Sequence, residues 1–212
     1  MSKEKQNIVV AGANGTTGRI IIVLLKKSNH YPPIAMVRKQ EQKERFEKDN
    51  VSTVLGDLEK NIDDAVKNAD KVIFAAGSGG KKVKEVDQEG AKRFTDAAKK
   101  AGAKKFVMLS SMGADTPSIM PSLEDYLKAK QNADEHLKTS GLNYSIVRPG
   151  GLTNDDATGK IQLQEKLEKQ GSISRADVAK TLVESLEDDV KHNQTFEILS
   201  GDTDIREALH NS

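Results

Sequence analysis

Three glycines spaced GxxGxxG (Gly12, Gly15 and Gly18) interrupt the apolar run VVAGANGTTGRIIIVLL at residues 9–25, and they constrain this chain more than any other feature. Glycine loses more conformational freedom on folding than any other residue. Three of them between two segments of regular apolar pattern therefore need a reason. A strand–turn–helix unit supplies one: the first glycine makes a tight turn, the second lets the main chain approach a diphosphate, and the third lets helix and strand pack closely. The helix that follows offers unpaired N–H groups and the positive end of its dipole to the phosphates. Asn14 lies inside the loop, and Thr16 and Thr17 add hydroxyls beside the same groove. Gly12, Asn14, Gly15, Thr16, Thr17 and Gly18 thus read as a dinucleotide cradle. The competing reading is an ordinary glycine-rich turn.

The next strand bears on which dinucleotide. An acidic residue about twenty positions past the glycines would accept hydrogen bonds from the ribose 2′-OH of NAD. Here the stretch MVRKQEQKER puts Arg38 and Lys39 at that place. A guanidinium suits a 2′-phosphate by charge and by its forked donors. The expectation is NADP(H) by preference, with NAD(H) possible. A solvated basic cluster at a helix start would look the same.

Seven short apolar runs alternate with longer charged segments of helical period: NIVVAGA, PIAMVR, STVLGD, KVIFAAG, KFVMLSS, YSIVRPG and TFEILSG. Strands apolar on both faces and alternating with helices imply a parallel sheet covered on both sides. One helix candidate spans KEVDQEGAKRFTDAAKKAG. Another spans SLEDYLKAKQNADEHLKTSG, with Leu123, Leu127 and Leu137 as its apolar stripe and Gly141 as its stop. No repeat or linker divides the 212 residues, so a single doubly wound α/β domain over 1–212 is predicted, with a small C-terminal portion at a substrate rim. Lys and Arg number 33 against 32 Asp and Glu, and aromatics are only 4%, which argues against nucleic acid as a partner. There is no cysteine, hence no disulfide or thiolate chemistry. The opening MSKEKQN lacks the apolar core of a signal peptide, and no apolar run is long enough to span a bilayer. A cytoplasmic protein with no membrane partner, acting on a small molecule as a monomer or homodimer, is the expectation.

Taken in order, AGANGTTG, MVRK, GDLE, AAGSGG, LSSMGAD, YLKAK, VRPGGLTND and SISRADVA resemble the small atypical short-chain dehydrogenases. The type is the NAD(P)H-binding, NmrA-like one, near small bacterial NAD(P)-dependent epimerase/dehydratase-like proteins. The resemblance covers nearly the whole chain. It implies a Rossmann sheet of about seven strands in the order 3-2-1-4-5-6-7. It also places Asp57 and Leu58 at the adenine, Ala76 and Gly77 along the cofactor ribose, and Pro149 and Gly150 beside the nicotinamide. For Asp57 alone, a helix N-cap is the other reading.

YLKAK carries a YxxxK spacing, and residues four apart share one face of a helix. A lysine charge beside a tyrosine oxygen favours phenolic proton exchange, which a free phenol titrating at about 10 performs poorly at neutral pH. Tyr126 is therefore the candidate proton donor and Lys130 its partner. By the resemblance, Lys130 would also bond the nicotinamide ribose. The third catalytic group, a hydroxyl at the end of the fifth strand, falls on Ser111 in the pattern of the atypical flavin and biliverdin reductases. In the extended enzymes it would fall on Met112, which has no hydroxyl.

Remaining features weigh little. His30, His136, His192 and His210 are scattered, without metal-ligand spacing or a visible carboxylate partner, and no metal is expected. LEDDV reads as the solvated end of a helix. Ser174 is set to N-cap a helix with Asp177 in its first turn, and Arg175 to form a structural salt bridge or face the cleft. GKIQLQEKLEKQGSIS is a candidate substrate rim. Two functions follow: an NAD(P)H-dependent reductase of a small carbonyl, quinone or flavin-like acceptor, or an NmrA-like redox sensor that binds the dinucleotide without turnover. The Tyr–Lys pair favours the reductase.

Overall fold

Each of the seven apolar runs becomes a strand in the computed structural model, which describes residues 4–211; Met1, Ser2 and Lys3 of the N-terminal segment read above, and Ser212, lie outside the described residues. The first half of the chain runs β1 (Ile8–Ala11), α1 (Thr16–Lys26), β2 (Pro33–Val37), α2 (Gln40–Lys48), β3 (Ser52–Leu55), α3 (Asp63–Val66) and β4 (Lys71–Phe74). A π-helical segment, Val83–Gln88, leads into α4 (Glu89–Lys100) and then β5 (Lys105–Leu109). Two 3₁₀ turns, Pro117–Ile119 and Pro121–Leu123, precede α5 (Glu124–Thr139). The rest is β6 (Tyr144–Pro149), β7 (Gly151–Thr153), β8 (Lys160–Gln164), β9 (Ser172–Ser174), α6 (Arg175–Glu184), β10 (Gln194–Ser200), β11 (Thr203–Asp204) and α7 (Ile205–His210).

The parallel strands lie in the order β3-β2-β1-β4-β5-β6-β10, the expected 3-2-1-4-5-6-7 with β10 seventh. The sheet is larger than the seven strands predicted. β8 pairs antiparallel with β10, and β11 antiparallel with β8, giving nine. The segment read as a substrate rim therefore contributes β8 to the main sheet. Its final residues form β9, which pairs with β7 in a separate two-stranded ribbon. A doubly wound sheet reverses strand order between β1 and β4, which opens a crevice at the carboxyl ends there.

Side chains on the two sheet faces build two cores. One joins Ile21, Ile22 and Leu25 of α1 with Val178 and Leu182 of α6; the other joins Phe94 of α4 with Phe74, Phe106 and Leu137. On α5, Leu127 and Leu137 are buried as expected, but Leu123 precedes the helix and remains 43% exposed. The stripe begins at Leu127 instead, because the two prolines, Pro117 and Pro121, hold the preceding stretch in 3₁₀ turns.

The LEDDV run is only in part the solvated end expected: Asp188 and Asp189 are exposed, but its apolar ends are not. Leu186 and Val190 are buried, and the loop closes over two lysines that open β4 and β5. Lys71 Nζ donates to the Leu186 carbonyl at 2.7 Å and pairs with Asp188 at 2.8 Å. Lys105 Nζ donates to the Glu187 and Val190 carbonyls. Burial, reinforced by the neighbouring Lys71 charge, pulls the Lys105 ammonium down to about 8. The two lysines thus supply donors to carbonyls past the end of α6, which a buried chain end requires.

Candidate functional site

The glycine loop joins β1 to α1 at the crevice. Gly12 adopts φ +81°, and a Cβ there would come within 2.5 Å of the Ala76 nitrogen at the end of β4. Only glycine makes that turn while lying against the neighbouring strand. A Cβ on Gly18 would stand 2.1 Å from the Gly12 carbonyl oxygen, so the third glycine sets how closely helix and turn approach. Gly15 is exposed and N-caps α1, and no side chain caps that helix start. Its first N–H groups are thus left without a side-chain cap, as anion binding at a helix N-terminus requires. Gly18→Ala is expected to cost about 1–3 kcal/mol through overpacking and to weaken dinucleotide binding. Thermal unfolding and calorimetry check this, and a midpoint equal to wild type refutes the packing role.

A cavity of about 410 Å³ adjoins the loop. Of the residues read as cofactor ligands, Gly12, Asn14, Gly15, Arg38, Asp57, Leu58, Ala76 and Gly77 line it. Met36 and Val86 join Leu58 as the buried apolar part of its lining. Asp57 does not cap a helix: its carboxylate accepts from the Glu59 N–H at 3.1 Å in a local turn, while α3 starts six residues later. Thr16, Thr17, Gly18, Lys39, Pro149 and Gly150 lie outside this lining. The Lys39 side chain is 67% exposed and pairs with Glu41. The Gln42 side chain accepts from the Arg38 and Lys39 N–H groups, which fixes the β2–α2 turn.

Sequence reasoning missed Asp87. It is buried on the π-helical segment and accepts from the Ser78 N–H at 3.1 Å, holding the Gly77–Ser78 loop along the cavity wall. Single-turn π-segments mark functional sites often, yet the string KEVDQEG reads as plain helix.

Tyr126, Lys130 and Ser111 sit outside the cavity, at the end of β5 and on α5. Lys130 is buried, and its Nζ donates to the Leu109 carbonyl at the last residue of β5, 3.1 Å away. The same nitrogen is 5.7 Å from the centre of the half-buried Tyr126 ring. Ser111 Oγ reaches only the Met112 carbonyl, at 3.2 Å, whereas Ser110 Oγ is buried and committed to Asp134 at 2.8 Å. Ser111 is thus the hydroxyl of the pair not tied to the buried Asp134. Pro149 and Gly150 stand next door: the Pro149 carbonyl accepts from Met112 N–H, and Gly150 is pressed against Leu199 and the Gly171 carbonyl.

Behind them lies a polar knot that sequence reasoning also missed. Asp134, fully buried, accepts on one oxygen from Ser110 Oγ and from Arg148 Nε and Nη2, at 2.8, 3.0 and 2.9 Å. Burial pushes its carboxyl above the usual range, opposed by the Arg148 charge. The knot ties α5, which carries Tyr126 and Lys130, to the ends of β5 and β6.

The smaller expectations resolve as follows. Ser174 Oγ caps α6 by accepting from Asp177 N–H, and Asp177 in turn holds the Thr158 and Gly159 N–H groups. Arg175 makes no ion pair among the described residues; it donates to the Leu152 carbonyl and to Asn154. His136, against expectation, has a carboxylate partner, Asp96, at 2.7 Å across α4 and α5. No helix among the described residues is long and apolar enough to cross a membrane.

Comparison with known proteins agrees with this geometry. A family model described as NAD(P)H-binding matches residues 12–189. The chain is 41% identical over 210 residues to "Uncharacterized sugar epimerase YhfK" of Bacillus subtilis, covering 95% of this chain and 98% of that one. The crystal structure of the oxidoreductase ylbE from Lactococcus lactis superposes with a TM-score of 0.89 at 32% identity, over 97% and 95% of the two chains. ChuY, an anaerobilin reductase from Escherichia coli O157:H7, gives 0.82 at 25% identity, over 92% and 98%.

Proposed function

This chain belongs to the NAD(P)H-binding family, and on that premise we propose that it is an oxidoreductase of the short-chain dehydrogenase type that prefers NADP(H) and reduces a small carbonyl, quinone or flavin-like acceptor. The reading is carried by one observation: Lys130, buried and bonded to the last carbonyl of β5, lies beneath the Tyr126 ring. A buried ammonium needs a task or a partner to offset its desolvation, and one carbonyl uses one of its three donors.

A reduced nicotinamide dinucleotide, when bound, supplies a hydride. Tyr126 gives the acceptor oxygen its proton, and the Lys130 charge stabilises the phenolate left behind. Ser111 Oγ orients the acceptor oxygen. Asp57 and Leu58 hold the adenine, Ala76 and Gly77 the ribose, and Pro149 with Gly150 forms the floor of the reacting end. Two relatives named as an oxidoreductase and a reductase support this class of chemistry.

The test is NADPH oxidation, followed by absorbance, with quinones, aldehydes and free flavins offered in turn. At least one acceptor should be reduced catalytically. If the protein binds NADPH but turns over none of them, the enzyme reading falls, and a dinucleotide-binding sensor takes its place.

A further inference from the structure

Glu59 and Lys82 join two loops of the cavity wall. Lys82 Nζ donates to both Glu59 carboxylate oxygens, at 2.7 and 2.8 Å. Lys82 lines the cavity on the loop after β4, and Glu59 directly follows Leu58, which lines it on the loop after β3. Both side chains reach solvent, 53% and 27% exposed.

The same two loops are joined a second time, and more firmly. Arg93 of α4 donates to the Leu58 carbonyl at 2.7 Å and to the Glu85 carbonyl at 3.1 Å. A Cβ on Gly90 would stand 2.9 Å from the Leu58 Cβ, so α4 packs directly against that loop. In front of this fixed joint runs a strap, residues 79–82, all of them exposed. Asp87 anchors its start by accepting from the Ser78 N–H, and the Lys82 carbonyl anchors its end by accepting from the Val86 N–H at 2.9 Å. Gly79 and Gly80 adopt φ of +62° and +81°, and a Cβ on either would meet nothing within 4 Å. Glycine here serves no close approach, unlike Gly12. It gives the strap backbone freedom.

We propose that Glu59 and Lys82 form a clasp at the adenosine end of the cavity, and that the strap swings on its two glycines to admit and release a nicotinamide dinucleotide. The inference rests on the dinucleotide-binding reading above and adds to it a gate on exchange. An exposed ion pair is weak enough to break at each passage, yet it biases the strap shut. The clasp touches no part of the dinucleotide. It therefore slows entry and exit by the same factor and leaves the affinity as it is.

Stopped-flow fluorescence of NADPH tests it, with wild type, Glu59→Gln, Lys82→Gln and the swapped pair Glu59→Lys with Lys82→Glu. Each single variant should raise the association and release rates together, about two- to fivefold, with Kd within about twofold of wild type. The swapped pair should return both rates close to wild type. Salt screens an exposed pair, so at about 1 M salt the release rates of variant and wild type should converge. Unchanged rates in both single variants, or a swapped pair as fast as the singles, overturn the clasp and leave the dinucleotide reading intact. Weakened affinity in Lys82→Gln with no effect of Glu59→Gln makes Lys82 a direct ligand contact and overturns the clasp as well. Calorimetry that detects binding of neither NADPH nor NADH overturns the dinucleotide reading, and the clasp with it. None of these measurements needs an acceptor, so the proposed turnover stands or falls separately.

Discussion

Asp134→Ala is expected to destabilise the fold by about 3–5 kcal/mol, the cost of leaving a buried charge without its partner. Arg148 is 6% exposed and gives two of its donors to the one Asp134 oxygen. Its other carboxylate, Asp115, lies 4.0 Å away and is bound more closely by Lys166 at 2.8 Å, so it is a poor substitute. Removal also strands Ser110 Oγ in the core. The pair itself is not for that reason a large net source of stability. Burial raises the Asp134 carboxyl against the pull of Arg148, which means desolvation consumes much of the attraction. A second expectation follows: Asp134→Leu with Arg148→Met should recover most of what either single change loses. Urea unfolding of the two singles and the double measures the cycle. A single variant within about 1 kcal/mol of wild type, or a double as unstable as the sum of its singles, rejects this account.

The knot shows which parts of the molecule can be read from sequence. β1, β4 and β5 are legible because each is a local apolar run buried on both faces, and the glycine loop because its function demands a fixed local spacing. Asp134 and Arg148 are fourteen residues apart and meet only because α5 folds back over β6. Lys71 reaches a carbonyl 115 residues away, so nothing near KVIF or LEDDV announces the contact. β8 escaped for a related reason: KIQLQ alternates apolar and polar residues, yet its glutamines and charged surroundings resemble a surface loop until β10 offers it an edge. The glycine loop and its surroundings show both cases at once. Arg38 follows from its distance past the glycines, but Arg45 joins Asn14 from 31 residues downstream. Fold class and the glycine loop are properties of short strings; charge pairing is a property of the finished fold.

Tyr126→Phe is expected to lower turnover of a carbonyl or quinone about a hundred- to ten-thousandfold, the range spanned by a positioned general acid. The substitution removes one oxygen from a half-buried ring and keeps the ring itself, which lies 5.7 Å from Lys130 Nζ. Packing and the buried ammonium are thereby preserved, so unfolding midpoint and NADPH affinity should stay close to wild type. The loss belongs in kcat, because the hydroxyl matters only as the acceptor oxygen gains its proton. Lys130→Met differs in kind: it deletes the donor to the Leu109 carbonyl and should disturb stability as well as rate. Ser111→Ala should fall between, raising KM more than Tyr126→Phe does, since its hydroxyl orients the acceptor without supplying the proton. A flavin acceptor offers an internal contrast. If it takes its hydride without needing a proton from the protein in the same step, Tyr126→Phe will spare flavin reduction while abolishing that of aldehydes. Full activity toward every acceptor in Tyr126→Phe removes the proton donor from the mechanism, and the buried Lys130 then serves only to anchor α5 to the end of β5.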